Sequence, residues 1–402
     1  MGKQLWRDLP ATLKVLLAST ILANIAGAML RPFLALYILA LGGTVRDVGL
    51  FFTIDVLALA ILRPLGGWFS DQFGRLPSVG FGGLFSFGGA VVMALAPGWG
   101  WLLVGQLVVA VGRGLVGPSF QAFIAEVAPA GQLGRTFGLV NGLFTACQII
   151  GPPLGGYLVA AAGYGSLLWL GAAIGLVAAA LRLLAARGAA PQWGQVQGRL
   201  LLDSLRGLGV GLTAGGLLTW LFLTDALRDV GIKLYENLQS PLFELGGLGE
   251  GQIGWLFSFY AVIYMLVNFV GGQLADRWGA TVALVLSGLL QAIALFVLAS
   301  SPTIPIFYLF FSLAALSFGL GDPAFDSFLA RAAPAGSLGL TFGLFSSAIS
   351  ILSTPMPYLG GWLWEAYRPV TPFWLGGLVL ILAALVTWRY LGRAVRETTF
   401  QL

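Results

Sequence analysis

The stretch Gly66-Gly67-Trp68-Phe69-Ser70-Asp71-Gln72-Phe73-Gly74-Arg75 places an acid, a base and three glycines between two long apolar runs. It returns later in the chain as Gly271-Gly272-Gln273-Leu274-Ala275-Asp276-Arg277-Trp278-Gly279-Ala280. The two aspartates are separated by 276 − 71 = 205 residues, and the glycines recur at the same offset. Because the chain has 402 residues, this repeat predicts two halves built to one design.

The composition excludes a soluble globular protein. Mean hydropathy is +0.90, and 58% of the residues are hydrophobic while 9% are charged, whereas soluble domains carry about 25% charged residues. Continuous apolar runs reach the roughly 20 residues that cross about 30 Å of hydrocarbon as a helix, and their lack of alternation excludes a β-barrel. We predict an all-α membrane protein with twelve transmembrane helices, six per half, at 13–39, 48–69, 79–96, 102–124, 136–162, 167–186, 208–234, 253–274, 280–300, 304–330, 342–364 and 371–391.

The distribution of basic residues predicts the orientation in the membrane. Most lysines and arginines fall on the side of the N-terminus, whereas only Arg46 and Arg368 fall on the other side. By the positive-inside rule both termini are cytoplasmic, and we expect an integral protein of a bacterial inner membrane. The same asymmetry accounts for the net charge of +5 without nucleic acid as a partner. The first span is too long for a cleavable signal peptide.

The domain boundaries follow from the repeat and from one polar connector. We predict an N-terminal six-helix bundle at 1–186, a cytoplasmic linker at 187–207 and a C-terminal six-helix bundle at 208–402. The linker contains Pro191, three glutamines and several arginines, which is typical of an interfacial segment.

Carboxylates in the second half are the candidates for proton coupling. The chain has no histidine, so a proton carried near neutral pH must reside on a carboxylate. Asp225, Arg228 and Asp229 share one face of span 7, and Asp322 and Asp326 are spaced i, i+4 in span 10. Two alternatives stay open: the span 7 residues form a neutralised structural cluster, or Asp326 belongs to a cytoplasmic gate.

One charged pair and one further arginine are candidates in the first half. Arg31 and Asp55 both lie roughly 13 Å below the outer surface, which predicts an ion pair that either takes part in coupling or is purely structural. Arg113 lies roughly 18 Å deep in span 4, near the midplane of the bilayer, and Gln106 lies on the same face.

Span 8 offers Tyr260, Tyr264 and Asn268 as side chains for a substrate cavity, together with Gln106, Arg228 and Asp326. The alternative for the aromatic residues is packing against lipid or neighbouring helices. The single cysteine and the lack of any nucleophile or metal-ligand cluster predict no enzyme activity, no metal and no cofactor.

A third motif closes span 5 as Gly151-Pro152-Pro153-Leu154-Gly155-Gly156 and returns in span 11 as Met356-Pro357-Tyr358-Leu359-Gly360-Gly361. Small residues with proline predict a close, kinked helix contact between the halves. The Asp71 and Asp276 loops, the run Arg113-x-x-x-Gly117 and this Gly-Pro-x-x-Gly-Gly motif together resemble the major facilitator superfamily. The resemblance covers nearly the whole chain, and the span 5 motif is most similar to that of the twelve-helix drug/proton antiporters.

The resemblance implies two pseudo-symmetric six-helix bundles around a cavity that opens alternately to each side. It implies a cytoplasmic gate at the two loops, for which Asp71, Arg75, Asp276 and Arg277 are the candidates, and it places Arg113 at an arginine implicated in proton coupling. The chain departs from the family pattern at Gln72 and Leu76, where a basic residue is common.

The first functional hypothesis is therefore a proton-coupled exporter of amphipathic or cationic small molecules, with protons and membrane lipids as further partners and a monomer as the working form. The second is a proton-coupled carrier of a specific polar metabolite or sugar that uses Arg31, Arg113 and Arg228 as ligands. The third is a lipid flippase or a membrane sensor.

Overall fold

The protein is described here by a computed structural model that covers residues 9–129, 132–187, 217–332 and 338–392. Within these residues the regular structure is entirely helical. Apart from Arg187, the predicted linker at 187–207 lies outside the described residues. The all-α class predicted from the apolar runs is confirmed.

Helices of the first half are joined by short turns. Span 1 is divided by a 3₁₀ turn at Arg31–Phe33, because Pro32 has no N–H for the regular helical hydrogen bond. The helices are α1 (Ala11–Leu30), α2 (Leu34–Ala40), α3 (Val45–Phe73), α4 (Arg75–Ala94), α5 (Trp99–Val127) and α6 (Leu133–Ala186).

Helix α6 is 54 residues long and contains two spans. A continuous helix of that length would measure about 80 Å, more than twice the hydrocarbon thickness of about 30 Å. The backbone breaks at Gly163, whose φ of 80° lies in the left-handed region that favours glycine. The break falls between the predicted spans 136–162 and 167–186.

The second half repeats this arrangement with more interruptions. A 3₁₀ turn at Glu236–Leu238 divides span 7 as Arg31–Phe33 divides span 1, and a π-helical turn at Thr387–Leu391 ends the described helices. The helices are α7 (Leu217–Lys233), α8 (Gln239–Leu245), α9 (Glu250–Trp278), α10 (Ala280–Ser300), α11 (Ile304–Ala332), α12 (Leu338–Ser353), α13 (Met356–Ala366) and α14 (Thr371–Val386).

The sequence predicts a kinked contact at residues 356–361 of span 11 but not the break that precedes them. Helix α12 ends at Ser353 and α13 begins at Met356, with Pro355 as the residue that precedes α13. Because Pro355 lacks an N–H and its ring excludes the carbonyl of the preceding turn, the helix is interrupted there.

Nine helices of the described residues are long and apolar enough to cross a membrane. One of them is the doubled helix α6, whereas α7 and the broken pair α12 and α13 fall short of the length required of a single span. An integral membrane protein is thus confirmed, and the number of twelve spans stays a prediction.

The chain forms two compact units that interleave in sequence. Unit 1 comprises residues 1–43, 57–196 and 249–258, and unit 2 comprises residues 44–56, 197–248 and 259–402. Unit 1 therefore contains the first turns of α9, which belongs to the second half of the sequence. Unit 2 contains the first turns of α3, which belongs to the first half.

Glycines set the distance between helices in each unit. In unit 1, α4 and α5 approach so closely that a Cβ on Gly89 would lie 2.6 Å from the carbonyl oxygen of Gly105. A Cβ on Gly66 would overlap the carbonyl oxygen of Gly114, and in unit 2 a Cβ on Gly271 would overlap that of Gly319. Gly271 follows Gly66 by 205 positions, and Gly319 follows Gly114 by the same number. The sequence repeat is thus also a repeat of backbone packing.

The Gly-Pro motif makes the close approach expected of small residues. In unit 1 a Cβ on Gly156 of α6 would overlap the carbonyl oxygen of Glu250, in the first turn of α9. In unit 2 a Cβ on Gly361 of α13 would meet the carbonyl oxygen of Val45, in the first turn of α3. These residues also match at the offset of 205, since 156 + 205 = 361 and 45 + 205 = 250.

Candidate functional site

Arg228 of α7 is the centre of an ionic cluster inside unit 2. Its Nη2 donates a hydrogen bond of 2.8 Å to Oδ1 of Asp322 on α11, and its Nη1 lies 3.7 Å from Oδ1 of Asp225. The guanidinium carbon lies 5.1 Å from the centre of the Phe318 ring, which adds a cation–π contact. Only 17% of the Arg228 side chain is exposed, so its charge is held by these partners more than by solvent.

Small residues on α10 and α11 make room for this cluster. A Cβ on Gly321 would overlap the hydroxyl of Ser287 and would lie 3.8 Å from Nη2 of Arg228. Ser317 donates a hydrogen bond of 2.8 Å to the backbone carbonyl of Ser287, which ties the two helices together at this level. The glycine before Asp322 therefore lets α11 approach α10 beside the arginine.

Asp322 also accepts a hydrogen bond from helix α9. The Tyr264 hydroxyl donates to Oδ2 of Asp322 over 3.1 Å, and Nδ2 of Asn268 donates to the Tyr264 oxygen over 3.4 Å. The Tyr260 ring stacks on Tyr264 with the ring centres 6.1 Å apart. The predicted cavity residues of α9 are thus joined to the predicted carboxylate of α11.

Asp229 belongs to a different set of contacts. It accepts a hydrogen bond from the hydroxyl of Ser353, the residue at which α12 ends. One helical turn further along α7, Nζ of Lys233 lies 2.6 Å from Oε1 of Glu236. Lys233, Glu236 and Arg228 all act electrostatically on Asp229.

Carboxylates outnumber cations around Arg228. Asp225 interacts electrostatically with Asp229, Asp322 and Asp326 as well as with the arginine, and Asp326 is exposed. With Lys233 and Glu236, which act on Asp229, the whole network has five carboxylates and two cations and a formal charge of −5 + 2 = −3. Carboxylates in such an excess favour the binding of a proton or of a cationic ligand. Among the described residues no group of three or more His, Cys, Asp or Glu side chains could hold a metal ion.

The gate candidates of unit 1 form a triad with a residue that the sequence analysis missed. Arg75 pairs with Asp71 through Nη1 and donates from Nε to Oε1 of Glu126 over 2.9 Å. Its Nη1 also lies 3.1 Å from the Ser70 hydroxyl. Glu126 lies near the end of α5. The residue at the repeated position 126 + 205 = 331 is an arginine, so the charge changes sign between the two halves. That change is the sequence signal that points to Glu126.

The gate candidates of unit 2 are arranged differently. Asp276 and Arg277 are both exposed at the end of α9, and neither forms an ion pair with another side chain in the described part of unit 2. Ala280 occupies the position that Arg75 has in the first copy. The side chain of Arg331 lies outside the described residues.

The first-half candidates are spread over both units. Arg31 is exposed in unit 1, whereas Asp55 is 8% exposed and belongs to unit 2, so their ion pair stays a prediction. On α5 of unit 1 the Gln106 side chain is buried, at 8% exposure, and Arg113 is exposed. Their roles likewise stay predictions.

Comparison with solved structures supports the fold. A POT family transporter in complex with 5-aminolevulinic acid superposes with a TM-score of 0.77 at 12% identity, covering 96% of this chain and 97% of that one. A D-xylose-proton symporter superposes with a TM-score of 0.70 at 17% identity, covering 94% and 96%. A bacterial homologue of the human lysosomal transporter Spinster gives 0.74 at 16% identity, covering 96% of each chain. At these identities the likeness concerns the fold alone.

Comparison of sequences identifies the family. An uncharacterized MFS-type transporter of Bacillus subtilis, YbcL, is 26% identical over 86% of this chain and 87% of its own length. The quinolone resistance protein NorA of Staphylococcus aureus is 27% identical over 32% of this chain and 33% of its own length. The family profile described as Major Facilitator Superfamily matches residues 16–228 and 208–401. The chain therefore belongs to the major facilitator superfamily and is a membrane transporter of small molecules, not an enzyme.

Proposed function

We propose that this transporter is a proton-coupled exporter of amphipathic, cationic small molecules. It works by alternating access between two six-helix bundles, at 1–186 and 208–402, as a monomer in a bacterial inner membrane with both termini in the cytoplasm. The observation that carries the proposal is the Arg228–Asp322 pair and the excess of carboxylates around it.

The pair is suited to exchange a proton for a cation. Ionised Asp322 accepts from both Arg228 and Tyr264, and a proton on either carboxylate oxygen removes the charge that Arg228 neutralises. Arg228 then retains Asp225, whose Oδ1 lies 3.7 Å from it. A cationic substrate at the same carboxylates competes with the proton, so binding of one favours release of the other.

The neighbouring rings favour a flat, apolar cation. Tyr260 and Tyr264 stack beside Asp322, and Phe311 lies 5.2 Å from Tyr260 between ring centres. An aromatic face next to a carboxylate is the arrangement that binds organic ammonium groups. The partial likeness to NorA, named for quinolone resistance, is consistent with export of drug-like compounds.

The triad of Asp71, Arg75 and Glu126 is proposed as the cytoplasmic gate, with Asp276 and Arg277 as its second half. An ion pair between the ends of helices can be made in one conformation and broken in the other at small cost, since exposed pairs contribute about 0–1 kcal/mol. The gate thus biases the exchange between conformations without holding either one.

The test is transport in proteoliposomes with a fluorescent lipophilic cation and an internal pH probe. Dye movement coupled to opposite proton flow is the expected result, and Asp322→Asn is expected to abolish the coupling while the protein stays folded. Glu244→Gln is the matched control, because it removes an exposed carboxylate of the same half outside the Arg228 cluster. Dye transport without proton flow, or unaltered coupling in Asp322→Asn, would contradict the proposal. Movement of a sugar or a fluorescent lipid in place of the dye would favour the metabolite carrier or the flippase.

A further inference from the structure

Asp229 lies between the cations Arg228 and Lys233 in the sequence of α7. Asp225, Asp229 and Lys233 follow one another at i, i+4 spacing, and Arg228 is adjacent to Asp229 in sequence. The Lys233–Glu236 pair lies where α7 ends and the 3₁₀ turn Glu236–Leu238 begins. These contacts are all inside unit 2 and are not part of the Arg228–Asp322 pair.

The Lys233–Glu236 pair is sheltered from solvent. The two side chains are 19% and 21% exposed, and their charged atoms are 2.6 Å apart. Lys233 acts electrostatically on Asp229 as well. The Lys233 ammonium is therefore paired with Glu236 and also within electrostatic range of Asp229, on which Arg228 acts as well.

The break in span 11 supplies the other partner of Asp229. Ser353 is fully buried at the end of α12, and its hydroxyl donates to Oδ2 of Asp229. The neighbouring hydroxyl of Thr354 turns back to the carbonyl of Ser350 over 2.7 Å. A serine hydroxyl can donate to an ionised carboxylate and accept from a protonated one, so Ser353 can satisfy both states of Asp229.

We infer that Lys233, Glu236 and Ser353 position Asp229 as a one-proton site that is separate from the Arg228–Asp322 pair. The inference rests on the proposed proton coupling. The Arg228 guanidinium is paired with Asp322 and Asp225. The remaining group of Asp229, Glu236 and Lys233 carries −2 + 1 = −1, and one proton on Asp229 brings it to neutrality. A second proton would leave an uncompensated positive charge in a sheltered place, which is unfavourable.

The two carboxylates therefore compete for one counter-ion. When a proton binds Asp229, the Lys233 ammonium is left to neutralise Glu236 alone, at 2.6 Å. Lys233 and Glu236 thus act on the coupling through Asp229 and are positioning residues for it.

Two substitutions with opposite expected effects test the inference. The pH profile of dye-coupled proton flux is measured for the full-length protein in proteoliposomes. Lys233→Met removes the shared cation, so we expect the alkaline limb of the profile to move to higher pH by at least about one unit. Glu236→Gln removes the carboxylate that competes with Asp229 for the charge of Lys233. We therefore expect the alkaline limb of the profile to move to lower pH. Lys233→Arg keeps the positive charge, so we expect this variant to have the same pH profile as the unmodified protein.

The outcomes separate this inference from the proposed function. No coupled flux in the unmodified protein overturns the proposed function. Coupled flux there, with profiles that do not move or that move in the same direction for Lys233→Met and Glu236→Gln, overturns the inference alone. A loss of folding alone would reduce the flux at every pH, and the near-isosteric Glu236→Gln keeps the test decisive if Lys233→Met does not fold.

Discussion

Arg228 and Asp322 are 94 residues apart in sequence and are joined by a hydrogen bond of 2.8 Å between α7 and α11. The guanidinium has the Phe318 ring at 5.1 Å and Asp225 at 3.7 Å, so little of its charge is left to solvent. Removing one partner of such a pair leaves a charge without compensation, whereas removing both does not.

This asymmetry gives a prediction for stability. Arg228→Met is expected to lower the free energy of unfolding by about 3–5 kcal/mol. Combination with Asp322→Asn is expected to recover part of that loss. Thermal unfolding in detergent, followed by tryptophan fluorescence, measures both variants, and strictly additive effects would show that the two charges do not interact.

Tyr264 is expected to act through its hydroxyl. Tyr264→Phe keeps the stacked ring but removes the donor to Asp322. Hydrogen bonds to charged groups contribute about 1.5–3 kcal/mol, so we expect coupled transport to fall by about tenfold or more. Tyr260→Phe is the matched control, since Tyr260 contributes ring contacts to the same stack. Equal losses in both variants would show that the effect is not specific to the hydrogen bond between Tyr264 and Asp322.

The gate triad should affect turnover more than binding. Asp71→Asn and Glu126→Gln each remove one partner of Arg75. We expect slower dye transport with an unchanged dissociation constant for the dye, measured by fluorescence titration in detergent. Asp47→Asn serves as a control, because it removes a carboxylate in the first turn of α3, at the opposite end of that helix from Asp71. Weaker binding at normal turnover would remove the triad from the gate.

The duplicated glycine contacts should be equally intolerant of a side chain. Gly66→Ala and Gly271→Ala each place a methyl group against a carbonyl oxygen, at Gly114 and Gly319. We expect a loss of about 1–3 kcal/mol in each, as is usual for overpacking. Gly142→Ala has nothing within 4 Å of the added Cβ and is expected to be neutral or stabilising. A stable Gly66→Ala protein in thermal unfolding would contradict the packing described here.

The fold and its class could be predicted because they depend on properties that a sequence displays directly. Long apolar runs require helices in lipid, and the offset of 205 residues reveals the duplication. Helical spacing also placed Asp225 and Arg228 on one face, and the structure has their charged atoms 3.7 Å apart.

Contacts between distant helices could not be obtained in this way. Periodicity identifies the face of one helix but does not reveal which face of another helix meets it, so Asp322 was not assigned to Arg228. The hydrogen bond between Ser353 and Asp229 likewise depends on the break before Met356, which helical periodicity does not reveal. Glu126 was missed for the same reason, because its partner Arg75 lies 51 residues away.

The repeated contacts of Gly66 with Gly114 and of Gly271 with Gly319 bear on how such a protein can evolve. The backbone scaffold exists twice, but the ionic side chains of the Arg228 cluster exist once. Thr20, Ala23 and Gly117 occupy the first-half positions that correspond to Asp225, Arg228 and Asp322. After a gene duplication, one copy could therefore gain a charged network at these positions while the other stayed uncharged there. Positions 20, 23 and 117 of the first copy are a template on which a second such network could be engineered.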